Sequence, residues 1–149
     1  MSLVKYNSFA ILLMYLGILP FCLSNFFFFF DPTLQIFGQS IIKLLQLYGI
    51  VIAAFMLGSY WGISTSKPSH TSRIVLILSN IMALILWVLS ALNPESCLAY
   101  LSFFFLLIVG VDFLLSRSKL ISQFYFKNRV YVSIIVFGLL RLMLWQVKV

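Results

Sequence analysis

The sequence predicts an all-α integral membrane protein, a bundle of about five transmembrane helices that forms a single domain over residues 1–149. Hydrophobic residues make up 63% of the 149 residues, and the mean hydropathy is +1.13. Only 9% of the residues are charged, which is too few to cover the surface of a water-soluble domain. Apolar runs of about 20 residues recur along the chain, and they lack the alternating pattern of barrel strands.

Five apolar runs set the order of the predicted spans. They cover residues 9–30, 44–64, 74–92, 96–115 and 130–147. Each run is long enough to cross a hydrocarbon core of about 30 Å. Pro20 predicts a kink in the first span, because proline has no N–H to donate to the carbonyl one turn earlier. Residues 34–43 are predicted either to lengthen the second span or to form a separate interfacial helix.

Lysine and arginine residues near the span ends predict the orientation. The positive-inside rule favours a cytoplasmic N-terminus and an outer C-terminus in a multi-pass membrane protein. With that orientation the basic residues on the inner side are Lys5, Lys67, Arg73, Arg117, Lys119, Lys127 and Arg129. We expect this basic surface to contact anionic lipid rather than nucleic acid.

Small residues form a ridge on the second predicted span. Ala54, Gly58 and Gly62 recur every four residues and therefore share one helix face, which Gly49 widens. Such patterns let membrane helices approach closely, so packing against a neighbouring helix is the favoured interpretation. A groove for a lipid or a partner helix is the alternative. Trp61, near the cytoplasmic end of the span, is predicted to be an interfacial anchor that makes polar contacts there.

A second cluster joins one acidic residue to several cations. Asp112 lies about one turn inside the cytoplasmic end of the fourth span, where an unpaired carboxylate would be costly. We expect it to reach the interface or to form an ion pair with Arg117, Lys127 or Arg129. A proton-binding or ion-binding carboxylate is the functional alternative. The sequence offers no second acid or histidine within a span to complete a proton relay.

Arg141 is the other charge within a predicted span. It is predicted to snorkel toward the outer surface or to pair with Glu95 or Asp31, with anion binding as the alternative. His70, the single histidine, is predicted to be a solvated loop residue. The two cysteines show no metal-ligand spacing, so the sequence predicts no metal and no cofactor.

Several short segments form a recognisable pattern: Leu16-Gly17-Ile18-Leu19-Pro20-Phe21, Tyr48 to Gly62 with its ending Phe55-x-Leu57-Gly58-x-x-Trp61-Gly62, Asp112, and Tyr125-x-Lys127-x-Arg129. With these segments the chain resembles domain-of-unknown-function family 3429, which includes bacterial inner-membrane proteins and the mitochondrial transmembrane protein 69-like proteins. The chain departs from the family pattern at Ser59, where a glycine is expected, and at Tyr60, where a polar or basic residue is usual. The resemblance implies a membrane fold and a location in the bacterial inner (cytoplasmic) membrane, and it brings no established activity or cofactor.

The number of acidic residues and the motifs of the sequence limit the kinds of function that are expected. With three acidic residues and no phosphate loop, zinc signature or nucleophile elbow, the sequence does not favour an enzyme. The leading hypothesis is an accessory or scaffold protein that packs into a larger membrane assembly, against other membrane proteins or a second copy of itself. The alternatives are a small transporter or channel subunit that uses Asp112 and Arg141, and a lipid-binding protein.

Overall fold

The computed structural model describes residues 2–148, and these residues form an antiparallel bundle of helices with one short hairpin. Five segments are long and apolar enough to cross a membrane, which confirms the predicted number of spans. The elements in chain order are α1 (Ser2–Leu16), α2 (Leu19–Phe30), β1 (Gln35–Ile36), β2 (Gln39–Ser40), α3 (Ile41–Ser66), α4 (His70–Ser90), α5 (Pro94–Arg117) and α6 (Gln123–Lys148).

The first span is broken where the sequence predicted a kink. Helix α1 ends at Leu16 and α2 begins at Leu19, with Pro20 in the first turn of α2. Proline is tolerated in a first helical turn, where its missing N–H has no partner in any case. The Tyr48 hydroxyl donates to the Gly17 carbonyl at 2.9 Å, so a side chain from α3 satisfies a backbone group that the break leaves free.

The segment before α3 is a β-hairpin, so the prediction of a separate interfacial helix over residues 34–43 was wrong. Gln35 pairs with Ser40, and Ile36 pairs with Gln39, in antiparallel register. The two turn residues, Phe37 and Gly38, have φ values of 54° and 70°. A two-residue turn with both φ angles positive matches the right-handed twist of a hairpin. Because the backbone of these two residues is left-handed, a right-handed helix cannot run through them, and α3 begins only at Ile41.

Three capping side chains explain why the helices extend beyond the predicted apolar runs. Ser40 Oγ accepts from the backbone N–H of Lys43, and Ser69 Oγ accepts from that of Ser72. Asn93 Oδ1 accepts from the N–H of Ser96. Each cap satisfies one of the free N–H groups of a first helical turn, so polar residues that the hydropathy pattern assigned to loops belong to helices. His70, predicted to be in a loop, is the first residue of α4 and is exposed.

Helix α5 lies at the centre of the bundle and packs against α3, α4 and α6. Its core residues include Leu98, Leu101 and Ile108, all fully buried. Helix α2 closes one side of the bundle through Phe21, whose ring meets those of Tyr48 and Phe105 edge-on at 5.1 and 6.2 Å.

The antiparallel order brings most of the basic residues to one end of the bundle. Lys67 follows α3, Arg73 lies in the first turn of α4, and Arg117 ends α5. Lys119 lies just after α5 and Lys127 lies in the second turn of α6, and all five side chains are exposed. We call this end of the bundle the basic end.

Candidate functional site

An ion pair is buried close to the basic end. Arg129 Nε donates to Asp112 Oδ2 at 2.8 Å, with the Asp112 residue 0% and the Arg129 residue 3% exposed. The pair forms because α5 and α6 are joined by a short turn and run antiparallel, which places the last turns of α5 beside the first turns of α6. Of the cations predicted as partners for Asp112, the structure selects Arg129. Arg117 and Lys127 are exposed, and no described carboxylate lies within ion-pair distance of them.

Tyr60 of α3 completes the buried pair from a third helix. Its hydroxyl lies 2.9 Å from Asp112 Oδ1 and 3.2 Å from the Ile108 carbonyl, and it can donate to one of them at a time. It also accepts from Arg129 Nη2 at 3.4 Å. The Arg129 guanidinium carbon is 5.3 Å from the centre of the Tyr60 ring. Three helices are therefore tied together by charge-assisted hydrogen bonds.

Two hydroxyl groups occupy the other side of the guanidinium. Arg129 Nη1 donates to Ser59 Oγ at 3.2 Å and to Tyr125 Oη at 3.1 Å. Ser59 donates its own hydrogen to the Met56 carbonyl at 2.7 Å. Tyr125 is half-buried, and its hydroxyl hydrogen has no acceptor among the described residues. With respect to the described residues the Tyr125 O–H is therefore a free donor, polarised by the arginine that donates to its oxygen.

These hydroxyl groups line one end of an apolar cavity. The cavity has a volume of about 320 Å³ and lies between α1, α2, α3, α5 and α6. Ser59, Tyr125 and Arg129 are its polar lining residues. The rest of the wall is apolar, and it includes Ala10, Met14, Phe21, Met56, Phe105 and Val136. Leu13 and Phe55 also line it and are 52% and 76% exposed, so the cavity opens laterally between α1 and α3.

The cavity was not predicted from the sequence, and the polar cluster beside it was predicted only in part. Asp112 and Arg129 were predicted as partners, whereas Ser59 and Tyr60 were noted as departures from a family pattern. One signal could have found Tyr60. It shares a helix face with Gly49 and Leu57, and the structure shows that this face is the buried face of α3.

The predicted small-residue ridge is divided between two faces of α3. Gly49 is buried, and a Cβ atom added there would lie 2.6 Å from Leu101 Cδ2. Ala54, Gly58 and Gly62 are exposed, and nothing lies within 4 Å of a Cβ atom added at either glycine. Gly49 therefore serves close packing inside the described chain, whereas the other three form a smooth outward face. Trp61 is half exposed beside that face, and its carbonyl accepts from the Thr65 hydroxyl at 2.7 Å.

Arg141 lies in a separate cleft at the opposite end of α5 and α6 from Asp112. Its cleft is lined by Glu95 and Ser96 of α5 and by Trp145 and Lys148 of α6. Arg141 is exposed, and among the described residues it makes no ion pair with Glu95 or Asp31, the two partners offered as an alternative to snorkelling. The structure does not bring Asp112 and Arg141 together as parts of one site.

The sequence matches a known protein family over nearly its whole length. Residues 6–145 match the family described as Protein of unknown function (DUF3429). The chain belongs to the DUF3429 family. The match covers all five spans except the last few residues of α6, and the family description assigns no activity. Neither the search of curated proteins nor the search of solved structures gives a match.

Metal-binding residues do not cluster in the part of the chain that the structure describes. Among the side chains described, those of residues 9–148, no three His, Cys, Asp or Glu groups lie close enough together to hold a metal ion. The polar groups that line the cavity are the Arg129 guanidinium and the Ser59 and Tyr125 hydroxyls, which can bind and orient a ligand through hydrogen bonds.

Proposed function

We propose that this DUF3429 protein binds a lipid or other amphiphile, with a hydrocarbon chain in the cavity between α1 and α3 and an uncharged polar group at its Tyr125 end. The observation that carries the proposal is the position of the free Tyr125 O–H beside Arg129, at the end of an otherwise apolar cavity. The cavity volume falls in the lower part of the range for ligand sites, which is roughly 300–1,000 Å³.

The apolar wall and the lateral opening favour a hydrocarbon chain. In a bilayer the solvent around the helices is itself hydrocarbon, so a lipid chain enters such a cavity without a hydrophobic penalty. An empty cavity would lose the dispersion contacts of its lining atoms, among them those of Phe21 and Phe105. A chain that enters between Leu13 and Phe55 restores these contacts.

The charge balance at the polar end favours an uncharged group. The formal charges of Asp112 and Arg129 cancel, so a carboxylate or phosphate placed there would be an additional charge with no counter-ion of its own. A carbonyl oxygen, as in an ester, amide or quinone, accepts a hydrogen bond from Tyr125 without adding charge. The polar end therefore suits a carbonyl-containing lipid.

The proposed role is binding rather than catalysis. Among the described residues, the Ser59 hydroxyl, the Asp112 carboxylate and the Arg129 guanidinium are all hydrogen-bonded within the protein, and the network offers no free base or nucleophile. We place the protein in the bacterial inner membrane with its N-terminus in the cytoplasm. The exposed cations of the basic end support this orientation, and they would contact anionic lipid on that side.

Binding of a fluorescent lipid ester tests the proposal. The methyl ester of cis-parinaric acid combines a hydrocarbon chain with an uncharged carbonyl, and the free acid is its charged counterpart. We expect saturable binding of the ester to the detergent-solubilised full-length protein, and weaker binding of the acid at neutral pH. Ala10→Trp fills the cavity and should abolish saturable binding.

The matched control for that variant is Ala83→Trp. Ala83 is an exposed residue of α4 and does not line the cavity, so its substitution adds the same indole to a lipid-facing surface. It should leave binding of the ester unchanged. Equal binding by the wild type and Ala10→Trp would show that the probe partitions into detergent or onto the protein surface. This result would contradict the proposal.

An accessory or scaffold role is the second candidate, and the outward face of α3 favours it. A side chain at Gly58 would meet nothing within the described chain, so this face is open to a close neighbour such as a second copy. Gly58→Leu should abolish self-association measured by crosslinking in membranes. Gly138→Leu is the control, because Gly138 is equally open but lies on α6. Unchanged crosslinking in Gly58→Leu would exclude this face.

A further inference from the structure

The cleft that contains Arg141 has charged groups on two facing walls. It has a volume of about 380 Å³ and lies where α5 begins and α6 ends, at the end of the bundle opposite the basic end. Glu95 and Ser96 line the α5 wall. Arg141 and Lys148 line the α6 wall, and their spacing of seven residues places them on one face of that helix.

The charged groups of this cleft are not paired with one another. Among the described residues, no ion pair or hydrogen bond engages the side chains of Glu95, Arg141 or Lys148. The Arg141 guanidinium carbon lies 5.7 Å from the centre of the Phe103 ring, so an aromatic side chain of α5 supports its position. Two cations and one carboxylate therefore face a common space with their hydrogen-bonding capacity free.

The arrangement of charges indicates the chemistry of a ligand. A phosphodiester matches Arg141 and Lys148, because both side chains donate charge-assisted hydrogen bonds to phosphate oxygens. Glu95 on the facing wall would repel a ligand that carries only negative charge, and it would accept hydrogen bonds from a cationic group with N–H donors. Trp145, between the two cations in sequence, has the amphipathic ring that is favoured at the level of lipid headgroups.

We propose that this cleft binds the headgroup of a zwitterionic aminophospholipid. The phosphate contacts Arg141 and Lys148, and the primary ammonium contacts Glu95. The cleft is separate from the apolar cavity, which lies near the basic end. A negative result for one of the two proposals therefore leaves the other proposal unaffected. The choline headgroup fits less well, because its quaternary nitrogen has no N–H to donate to Glu95.

Native mass spectrometry of the full-length protein with competing lipids tests this proposal. The probes are dioleoyl phosphatidylethanolamine, phosphatidylglycerol and phosphatidylcholine, offered in equal amounts to the delipidated protein. We expect the ethanolamine lipid to be retained about fivefold more than either competitor, which is the size of effect expected for a partly exposed ion pair. Equal retention of the three lipids, or preference for phosphatidylglycerol, would overturn the proposal.

Two substitutions separate the roles of the two walls. Glu95→Gln removes the partner of the ammonium group, so it should abolish the preference for the ethanolamine lipid over phosphatidylglycerol. Arg141→Gln should reduce retention of all three phospholipids, and Arg141→Lys should restore it in part. If Glu95→Gln keeps the wild-type preference, the ammonium contact is excluded.

The controls address nonspecific charge effects and the other cavity. Lys127→Gln removes an exposed cation at the basic end and should leave retention unchanged. Ala10→Trp blocks the apolar cavity and should also leave the ethanolamine preference unchanged. Loss of that preference in Ala10→Trp would place the retained phospholipid in the apolar cavity and would contradict a headgroup site at Arg141.

Discussion

Arg129 and Asp112 form an ion pair in which the Nε to Oδ2 distance is 2.8 Å and both residues are almost completely buried. Each charge would be costly inside a membrane-embedded bundle without the other. Tyr60 binds both members, so the pair joins α3, α5 and α6 in one network. The same arginine supports the Tyr125 hydroxyl at the cavity, which links the packing of the bundle to its candidate ligand site.

Breaking the ion pair should destabilise the protein strongly. Asp112→Ala leaves the buried Arg129 without a counter-ion, and we expect a loss of about 3–5 kcal/mol in the free energy of unfolding. Denaturant titration in detergent micelles measures this loss. Replacing both charges, as in Asp112→Leu with Arg129→Met, should recover most of it, because the unpaired charge is then removed. Arg117→Gln is the control and should change stability by less than about 0.5 kcal/mol. A similar loss in that control would mean that Arg129 is not the principal partner.

The two tyrosines at Arg129 should respond differently to loss of their hydroxyl groups. Tyr60→Phe leaves Asp112 Oδ1 and Arg129 Nη2 without a described partner, so it should cost about 1–3 kcal/mol of stability. Tyr125→Phe removes a half-exposed hydroxyl and should cost less. It should instead weaken binding of the parinaric ester by about twofold to tenfold, the range for one neutral hydrogen bond. Thermal unfolding and ester titration on both variants distinguish these effects. Equal ester affinity in the wild type and Tyr125→Phe would exclude the Tyr125 hydroxyl as the hydrogen-bond donor to the ester carbonyl.

The glycines of α3 should differ in their tolerance of a methyl group. Gly49→Ala places a Cβ atom 2.6 Å from Leu101 Cδ2, and Leu101 is fully buried and has little freedom to move. Overpacking of this kind typically costs about 1–3 kcal/mol. Gly58→Ala and Gly62→Ala meet no neighbour within the described chain and should be neutral or stabilising for the monomer. Thermal stability of the three variants, measured in dilute detergent, tests this order. A stabilised Gly49→Ala variant would contradict the packing of α3 on α5.

Asp31, which follows the first span, should show a low pKa that depends on Thr33. The Thr33 hydroxyl and backbone N–H donate to Asp31 Oδ1 at 2.7 and 2.9 Å, and these bonds lower the pKa of the carboxyl from its ordinary value of 3.8. A group with a lowered folded-state pKa contributes stability above its unfolded pKa, and this contribution is lost as the pH falls through the folded value. Thr33→Val removes the hydroxyl bond and should raise the Asp31 pKa. A ¹³C NMR titration of the carboxyl measures the change, and an unaltered pKa would exclude the hydroxyl as its cause.

The predictable part of this fold is the part controlled by hydropathy. Apolar runs determine the five spans, and Pro20 determines the break in the first. The hairpin was missed because residues 34–43 contain apolar residues at spacings compatible with a helix, whereas the backbone at Phe37 and Gly38 is left-handed. Helix ends were predicted too short, because capping by Ser69 and Asn93 depends on side-chain geometry rather than on hydropathy.

The candidate site was less predictable than the fold. Asp112 could be matched with a cation, because a buried carboxylate needs a partner, but several nearby cations satisfied that rule. The choice of Arg129 depends on the turn between α5 and α6, which sets the register of the two helices. The cavity depends on how α1, which packs against α6, is placed relative to α3, and no local pattern in these helices specifies that. The outward orientation of Gly58 likewise follows from which face of α3 the core uses.

Photolabelling of the cavity tests the proposed lipid binding most directly. The probe is a fatty acid methyl ester with a diazirine in the middle of its chain, irradiated with the full-length protein and mapped by peptide mass spectrometry. We predict that the adducts fall mainly on cavity residues such as Met14 and Met56. They should disappear in Ala10→Trp and persist in Ala83→Trp. Labelling of lipid-facing residues such as Ile77 and Leu84 as strongly as Met56, in the wild type and in Ala10→Trp alike, would contradict the account.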